Sequence, residues 1–201
     1  MKRRSLIALP VLLLAAAAQA APAVGQAAPD FTLTDAAGKT VKLGDFRGKV
    51  VVLEWTNPGC PYVRKHYDSG NMASTQQEAV AKGAVWLSIN STEKASYDYM
   101  EPAKLAAWQK DRRMQPTATL MDEEGGTGKA YGARTTPHMY IVDPQGRLVY
   151  AGGIDSVPSS NPADIQRAVN YVKQAVAEAT AGKPVTHAVT RPYGCSIKYK
   201  S

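Results

Sequence analysis

The run Val50-Val51-Val52-Leu53-Glu54-Trp55 constrains this chain more than any other segment. Its apolar residues follow one another without alternation, and the run is of strand length. Such a run belongs in a central strand covered on both faces, because each face of the pleat carries apolar side chains. Layers must therefore pack above and below it. The rest of the chain supplies them: strand-sized and helix-sized patterns alternate, which predicts parallel pairing in an α/β domain.

Phe31 to Asp35 and Lys39 to Leu43 alternate apolar and polar residues around Ala36-Ala37-Gly38, the pattern of a hairpin. After the central run, Pro61 suits the first turn of a helix. That helix breaks at Asp68-Ser69-Gly70-Asn71 and resumes from Met72 to Lys82. Val85 to Asn90 predicts a second buried strand, Pro102 to Arg113 a helix and Thr117 to Met121 a short strand. His138 to Asp143 and Arg147 to Ala151 form a hairpin around Pro144-Gln145-Gly146. A last helix is expected to start at Asn161-Pro162 and to bury Ile165, Ala168, Val169, Val172, Val176 and Ala179. A polar tail with few regular-structure signals comes after Thr186. The fold class is thus α/β, a mixed central sheet with helices on both faces and an N-terminal hairpin. The domains read as a signal peptide over 1–20, a domain over 21–186 and a tail over 187–201.

The start of the chain bears on compartment. Lys2-Arg3-Arg4 precedes an apolar run from Leu6 to Ala18, and Ala18-Gln19-Ala20 is a small-x-small cleavage site. This is the layout of a cleavable secretory signal, and a run of about 13 residues is short of the ~20 that cross a bilayer. The expected compartment is periplasmic or extracellular, with no membrane association after cleavage and a disulfide permitted between Cys60 and Cys195. The formal net charge is +7, three units of which come from residues 2 to 4. The remaining mild excess, without a basic stripe, argues against a nucleic-acid partner.

Cys60 follows the central strand and precedes Pro61 and a helix. A thiol there faces the first-turn N–H groups and the positive end of the helix dipole, which favour thiolate. Arg64 and Lys65, one turn on, can add positive charge. Glu54 can accept a proton or simply pair at the strand end. Arg134 is close enough to Pro137 in sequence to meet an anionic substrate or the thiolate. His66 lies almost two turns past Cys60 on another part of the helix. His138 with Cys60 invites a metal reading, but no metal is expected. Gly125-Gly126-Thr127-Gly128-Lys129 lacks the spacing of a phosphate loop and reads as a surface turn.

The stretch Pro29-Asp30-Phe31-Thr32-Leu33, Gly38-Lys39, Leu43 and Phe46-Arg47-Gly48-Lys49-Val50-Val51-Val52-Leu53 resembles the redoxin group of the thioredoxin superfamily. That group holds alkyl hydroperoxide reductase and thiol-specific antioxidant proteins and extracytoplasmic reductants. Cys60-Pro61-Tyr62-Val63-Arg64-Lys65 aligns with the Cys-Pro-x-Cys-Arg-Lys of the reductants. Cys60 takes the place of the attacking cysteine and Val63 that of its partner. Thr136-Pro137 resembles the superfamily's cis-proline loop, which sits against the attacking cysteine and helps hold substrate. Ala181-Gly182-Lys183-Pro184 and Gly194-Cys195-Ser196-Ile197-Lys198 resemble the end of a peroxiredoxin-like bacterial subgroup. The resemblance implies a thioredoxin-like fold and a thiol-dependent oxidoreductase without a cofactor. Its substrate is a peroxide or a protein disulfide, and an external thiol reductant restores it.

The chain departs from the pattern in ways that leave alternatives open. Val63 removes the local dithiol. Asn57 and Leu53 stand where peroxiredoxins have Thr or Ser and Pro. Cys195 can replace the missing thiol as a redox partner, form a permanent bond with Cys60 worth about 4–5 kcal/mol in the chain-entropy model, or stay apart from it. A thioredoxin-fold binding module without catalysis is the alternative from another class.

Overall fold

The computed structural model describes residues 22–201. The signal-peptide reading lies outside the described residues. A seven-stranded mixed sheet runs through the molecule. In chain order its strands are β1 (Thr32–Asp35), β2 (Thr40–Lys42), β3 (Val51–Trp55), β4 (Val85–Asn90), β5 (Ala118–Met121), β7 (His138–Val142) and β8 (Leu148–Gly152); their spatial order is β2-β1-β5-β4-β3-β7-β8. β6 (Thr135–Thr136) and β9 (Cys195–Ser196) form a separate two-stranded ribbon. β3 lies between β4, which is parallel to it, and β7, which is antiparallel. This is the arrangement expected of a thioredoxin-like chain.

The non-alternating run of β3 is buried throughout. Val52 joins Trp86, Met139, Ile141 and Tyr150 on one face. Over that face pack α1 (Pro61–Asp68), α2 (Asn71–Ala81) and α5 (Tyr171–Thr180), which contribute Val63, Tyr67, Met72, Val172 and Val176. Val51, Leu53 and Trp55 point to the other face with Leu87, Ile89, Leu120 and Tyr140. There the N-terminal residues Phe31, Val41 and Leu43 cover them, together with Tyr131 from α4 (Gly126–Tyr131). α3 (Pro102–Asp111) adds Trp108, whose ring lies 4.5 Å from that of Tyr67. Odd and even residues of one strand thus feed separate cores, as the pleat requires. Gly70 at φ 76° makes the expected break between α1 and α2, because it takes a left-handed conformation that costs a β-carbon-bearing residue more.

The expected last helix is two pieces. Asn161 does cap, accepting from the Ala163 N–H, but the segment it caps is a 3₁₀ turn over Pro162–Arg167. The chain then runs extended, and α5 begins at Tyr171 with Asn170 as its cap. The reason is non-local. Ser156 N–H donates to the Val169 carbonyl and Tyr171 N–H to the Ile154 carbonyl, so residues 169 to 171 pair with 154 to 156 instead of continuing a helix. Val172 and Val176 are buried as expected, whereas Val169 is 52% exposed.

The tail is not a loose end. It runs beside β8 through a parallel bridge from Ala151 to Val189, buries Tyr193, pairs as β9 with β6 and seats Tyr199 on α4. Glycines make the room. A β-carbon on Gly128 would overlap the Tyr199 ring, and one on Gly152 would overlap Thr190. The glycine-rich segment, expected as a surface turn, is instead the start of α4 with Gly128 buried beneath Tyr199, and its Thr127 and Gly128 N–H groups are taken by the Asp122 carboxylate.

Candidate active site

Cys60 is the N-cap residue of α1, in extended backbone, with Pro61 at the first helical position. The loop that delivers it is tied down on several sides. Asn57 accepts from the Gly59 N–H at 2.7 Å and donates to Thr92 at 2.8 Å. The Cys60 N–H bonds the Asn57 carbonyl, and Arg64 Nε donates to the Pro58 carbonyl at 2.8 Å. The Cys60 side chain is buried, and its thiol donates to the Thr136 carbonyl oxygen across 3.0 Å. Thr136–Pro137 is a cis peptide, as the motif implied.

The same Thr136 is the cross-strand partner of Cys195 in the β6–β9 ribbon. One backbone unit therefore aligns both cysteines. Gly194 permits the approach: its φ is 138°, and a β-carbon there would overlap the Thr136 carbonyl. Both cysteines are free thiols that line one cleft of about 230 Å³ with Asn57, Tyr97, Thr136 and Lys198. Burial, followed by a hydrogen bond with Cys60, pushes the Cys195 thiol up to about 12. Cys195 is thus held protonated against Cys60. Cys60 is buried on the Thr136 carbonyl, whereas Cys195 is only partly buried at the same cleft.

Glu54, Arg64 and Arg134 reach no sulfur. Glu54 is fully buried and accepts from Tyr67 at 2.7 Å, Trp86 at 2.9 Å and Ser88 at 3.0 Å. Burial raises its pKa, and those donors oppose the rise. It ties α1 to β4 rather than ending a strand in solvent. Arg64 holds the loop carbonyl. Arg134 is exposed, and its carbonyl receives the Ile197 N–H of the tail. Lys65 is turned away from the thiol, with Nζ 3.5 Å from Asp155 and 3.3 Å from the Val157 carbonyl. His138 is buried, which lowers its pKa to about 3, and its Nδ1 accepts from the Arg134 N–H.

Sequence reasoning passed over Tyr97, 89% exposed at the cleft mouth, and Tyr193 and Asp155, which meet His66 in a buried group. A tyrosine two residues before Cys195 in an otherwise polar tail was the one available signal for that group.

Comparison with known proteins gives the chain a family and a set of relatives. Residues 24–151 match the model of the AhpC/TSA family. The thiol-disulfide oxidoreductase ResA of Bacillus thuringiensis is 26% identical over 126 residues, covering 63% of this chain and 67% of that protein. The crystal structure of a hypothetical protein from Sinorhizobium meliloti 1021 superposes with a TM-score of 0.75 at 25% identity, over 90% of this chain and 97% of the other. That of an uncharacterized conserved protein from Geobacillus kaustophilus gives 0.72 at 28% identity, over 89% and 93%.

Proposed function

Since the chain belongs to the AhpC/TSA family of thiol-dependent oxidoreductases, we propose that Cys60 is its attacking thiol and Cys195 its resolving thiol. The observation that carries this is the shared Thr136 carbonyl unit, which Cys60 bonds and Cys195 flanks across the ribbon. With a peroxide, Cys60 gives up its proton and the thiolate attacks one oxygen; the O–O bond breaks, and Cys60 becomes a sulfenic acid while the other oxygen takes up that proton and leaves as alcohol or water. Cys195 sulfur then attacks the Cys60 sulfur. The S–O bond breaks, hydroxide leaves with the Cys195 proton as water, and a Cys60–Cys195 disulfide remains. An external dithiol returns both cysteines to thiols and is itself oxidised to a disulfide.

A small substrate is favoured because the chain's own Cys195–Ser196 strand occupies the β6 edge. Exchange with a protein disulfide is the second reading, favoured by the similarity to ResA. There Cys60 forms a mixed disulfide, and Cys195 displaces the substrate thiol from it. Thr136 lines the cleft, and Pro137 follows it on the way into β7. Glu54 and Arg64 support the site by holding α1 and its loop, and Arg134 anchors the tail. Two of the alternatives raised by the sequence predict different chemistry. A permanent disulfide would not turn over, and a binding module would need no reactive Cys60.

The N-terminal pattern of Lys2-Arg3-Arg4, an apolar run and Ala18-Gln19-Ala20 supports an exported, extracytoplasmic protein. Among the described residues no helix is long and apolar enough to cross a membrane.

The test compares wild type, Cys60→Ser and Cys195→Ser in two assays with a dithiol reductant: hydrogen peroxide consumption and reduction of a protein disulfide. Cys60→Ser is expected to be inert in whichever reaction is native, and Cys195→Ser to accumulate a sulfenic acid or mixed disulfide on Cys60. If wild type and Cys60→Ser behave alike in both assays, the enzymatic reading fails.

A further inference from the structure

Lys65, His66 and Asp155 are buried together beneath α1, the helix that Cys60 caps. Such a cluster is costly unless its charges and hydrogen-bonding groups are matched. Lys65 Nζ reaches Asp155 Oδ2 and the Val157 carbonyl, and Asn71 lies 2.8 Å from His66 Nδ1. The group that completes the cluster comes from the tail. The Tyr193 hydroxyl donates to Asp155 Oδ1 and lies 3.1 Å from His66 Nε2. Its ring is buried, meets Tyr62 edge-on at 5.8 Å and has Lys65 Nζ 5.7 Å from its centroid. Tyr62 and Lys65 both belong to the helix that Cys60 begins.

The register along the tail is specific. Tyr193 enters the protein, Gly194 passes over the Thr136 carbonyl, and Cys195 arrives beside Cys60. The two-stranded pairing of β6 and β9 spans only two residues on each strand. So short a ribbon holds its partner weakly by itself, since an isolated hairpin is marginal in water.

We infer that Tyr193 is a positioning residue for exchange between Cys60 and Cys195: its hydroxyl, anchored on Asp155 and His66 under α1, holds the tail so that Cys195 stays within reach of Cys60. This rests on the proposed role of the cysteine pair and adds what makes that pair effective. The helix that presents one sulfur also anchors the segment that presents the other, so the two are placed by one element. Without the Tyr193 hydroxyl the tail keeps its contacts through Ile197 and Tyr199 but loses the hold two residues before Cys195, and the effective concentration of Cys195 at Cys60 falls.

The experiment equilibrates the mature chain with oxidised and reduced glutathione. Each Cys60–Cys195 disulfide formed consumes one glutathione disulfide and releases two glutathione thiols. Acid quench, alkylation and mass measurement give the effective concentration of Cys195 at Cys60. Tyr193→Phe is expected to lower it by about tenfold or more, the equivalent of one hydrogen bond to a charged group. Asp155→Asn is expected to lower it as well, and in that background Tyr193→Phe is expected to add little, because the hydroxyl has already lost its carboxylate acceptor. In a Cys195→Ser background, Tyr193→Phe is expected to leave the alkylation rate of Cys60 unchanged, which separates positioning of Cys195 from a general disturbance of α1.

A wild type that forms no intramolecular disulfide at any glutathione ratio overturns the cysteine-pair reading itself. A wild type that forms it, with the same effective concentration in Tyr193→Phe and Asp155→Asn, overturns the anchor alone. So does an equal loss of Cys60 alkylation in the Cys195→Ser background. If thermal unfolding shows that Tyr193→Phe does not fold, Asp155→Asn carries the same comparison.

Discussion

Replacing Tyr67 by Phe probes the link that holds α1 to the sheet beneath Cys60. The hydroxyl donates to Glu54 Oε1 and accepts from Gln109 Nε2. Its removal strips a buried carboxyl of one of its three side-chain donors and leaves the Gln109 amide without that acceptor. Such a bond contributes about 0.5–1.5 kcal/mol to a protonated carboxyl and about 1.5–3 kcal/mol to an ionised one. For a domain of this size that range corresponds to a fall in Tm of roughly 1–12 °C.

The pH dependence gives the stronger check. Burial raises the pKa of Glu54 above its unfolded value, and the Tyr67 hydrogen bond is the largest influence opposing the rise. The stability that comes from keeping Glu54 protonated is present below the unfolded pKa and is lost as pH rises through the folded one. Removing the hydroxyl moves the folded value further up, so the loss continues to higher pH in the variant. The penalty of Tyr67→Phe should therefore be larger at pH 8 than at pH 4. Urea unfolding at both pH values measures it, and a Glu54→Gln background should remove most of the difference. An equal or smaller penalty at pH 8 would refute the reasoning, because the Tyr67 hydroxyl would then not be supporting an ionised Glu54.

The same contacts set three further outcomes. Gly194→Ala should displace β9 from Thr136 at a strain of about 1–3 kcal/mol; slower appearance of the Cys60–Cys195 disulfide after a peroxide pulse checks it, and an unchanged rate counts against the ribbon's role. Burial lowers the pKa of His66 to about 4, so the unfolded chain takes up a proton near pH 6.5 that the folded chain resists. Stability should fall between pH 6.5 and 4 for that reason, and His66→Gln should flatten the slope by about 1–3 kcal/mol in denaturant titrations. Intact mass of protein from a periplasmic extract should correspond to a chain starting at or near Ala21, and a mass that retains Met1 would remove the case for export.

Periodicity and turn chemistry alone were enough for the elements that depend on neighbours in the chain. The run from Val50 to Trp55 has apolar groups for both faces, so it had to be central whatever covered it. Gly70 between two helical stretches and Pro144-Gln145-Gly146 between two strands made breaks where their backbone preferences require them. Cys60 before Pro61 was legible as the start of a helix, because that geometry spans only a few residues, but its thiol turns to the Thr136 carbonyl and not, as expected, to the first-turn N–H groups.

The tertiary structure decided everything that required distant segments to meet. The last helix split because residues 169 to 171 found partners at 154 to 156, which outweighed a favourable cap and stripe at Asn161. Lys65 looked like a charge for the thiol and instead met Asp155, ninety residues on. Glu54 looked like a strand-end acid and became the knot between α1 and β4. The tail, polar and without a clear period, became ordered through Tyr193, Gly194 and Tyr199, each matched to a seat elsewhere in the domain. A single residue's own preferences carry no record of such seats. They exist only once the sheet has brought Asp155, Thr136 and α4 to the places where the tail passes.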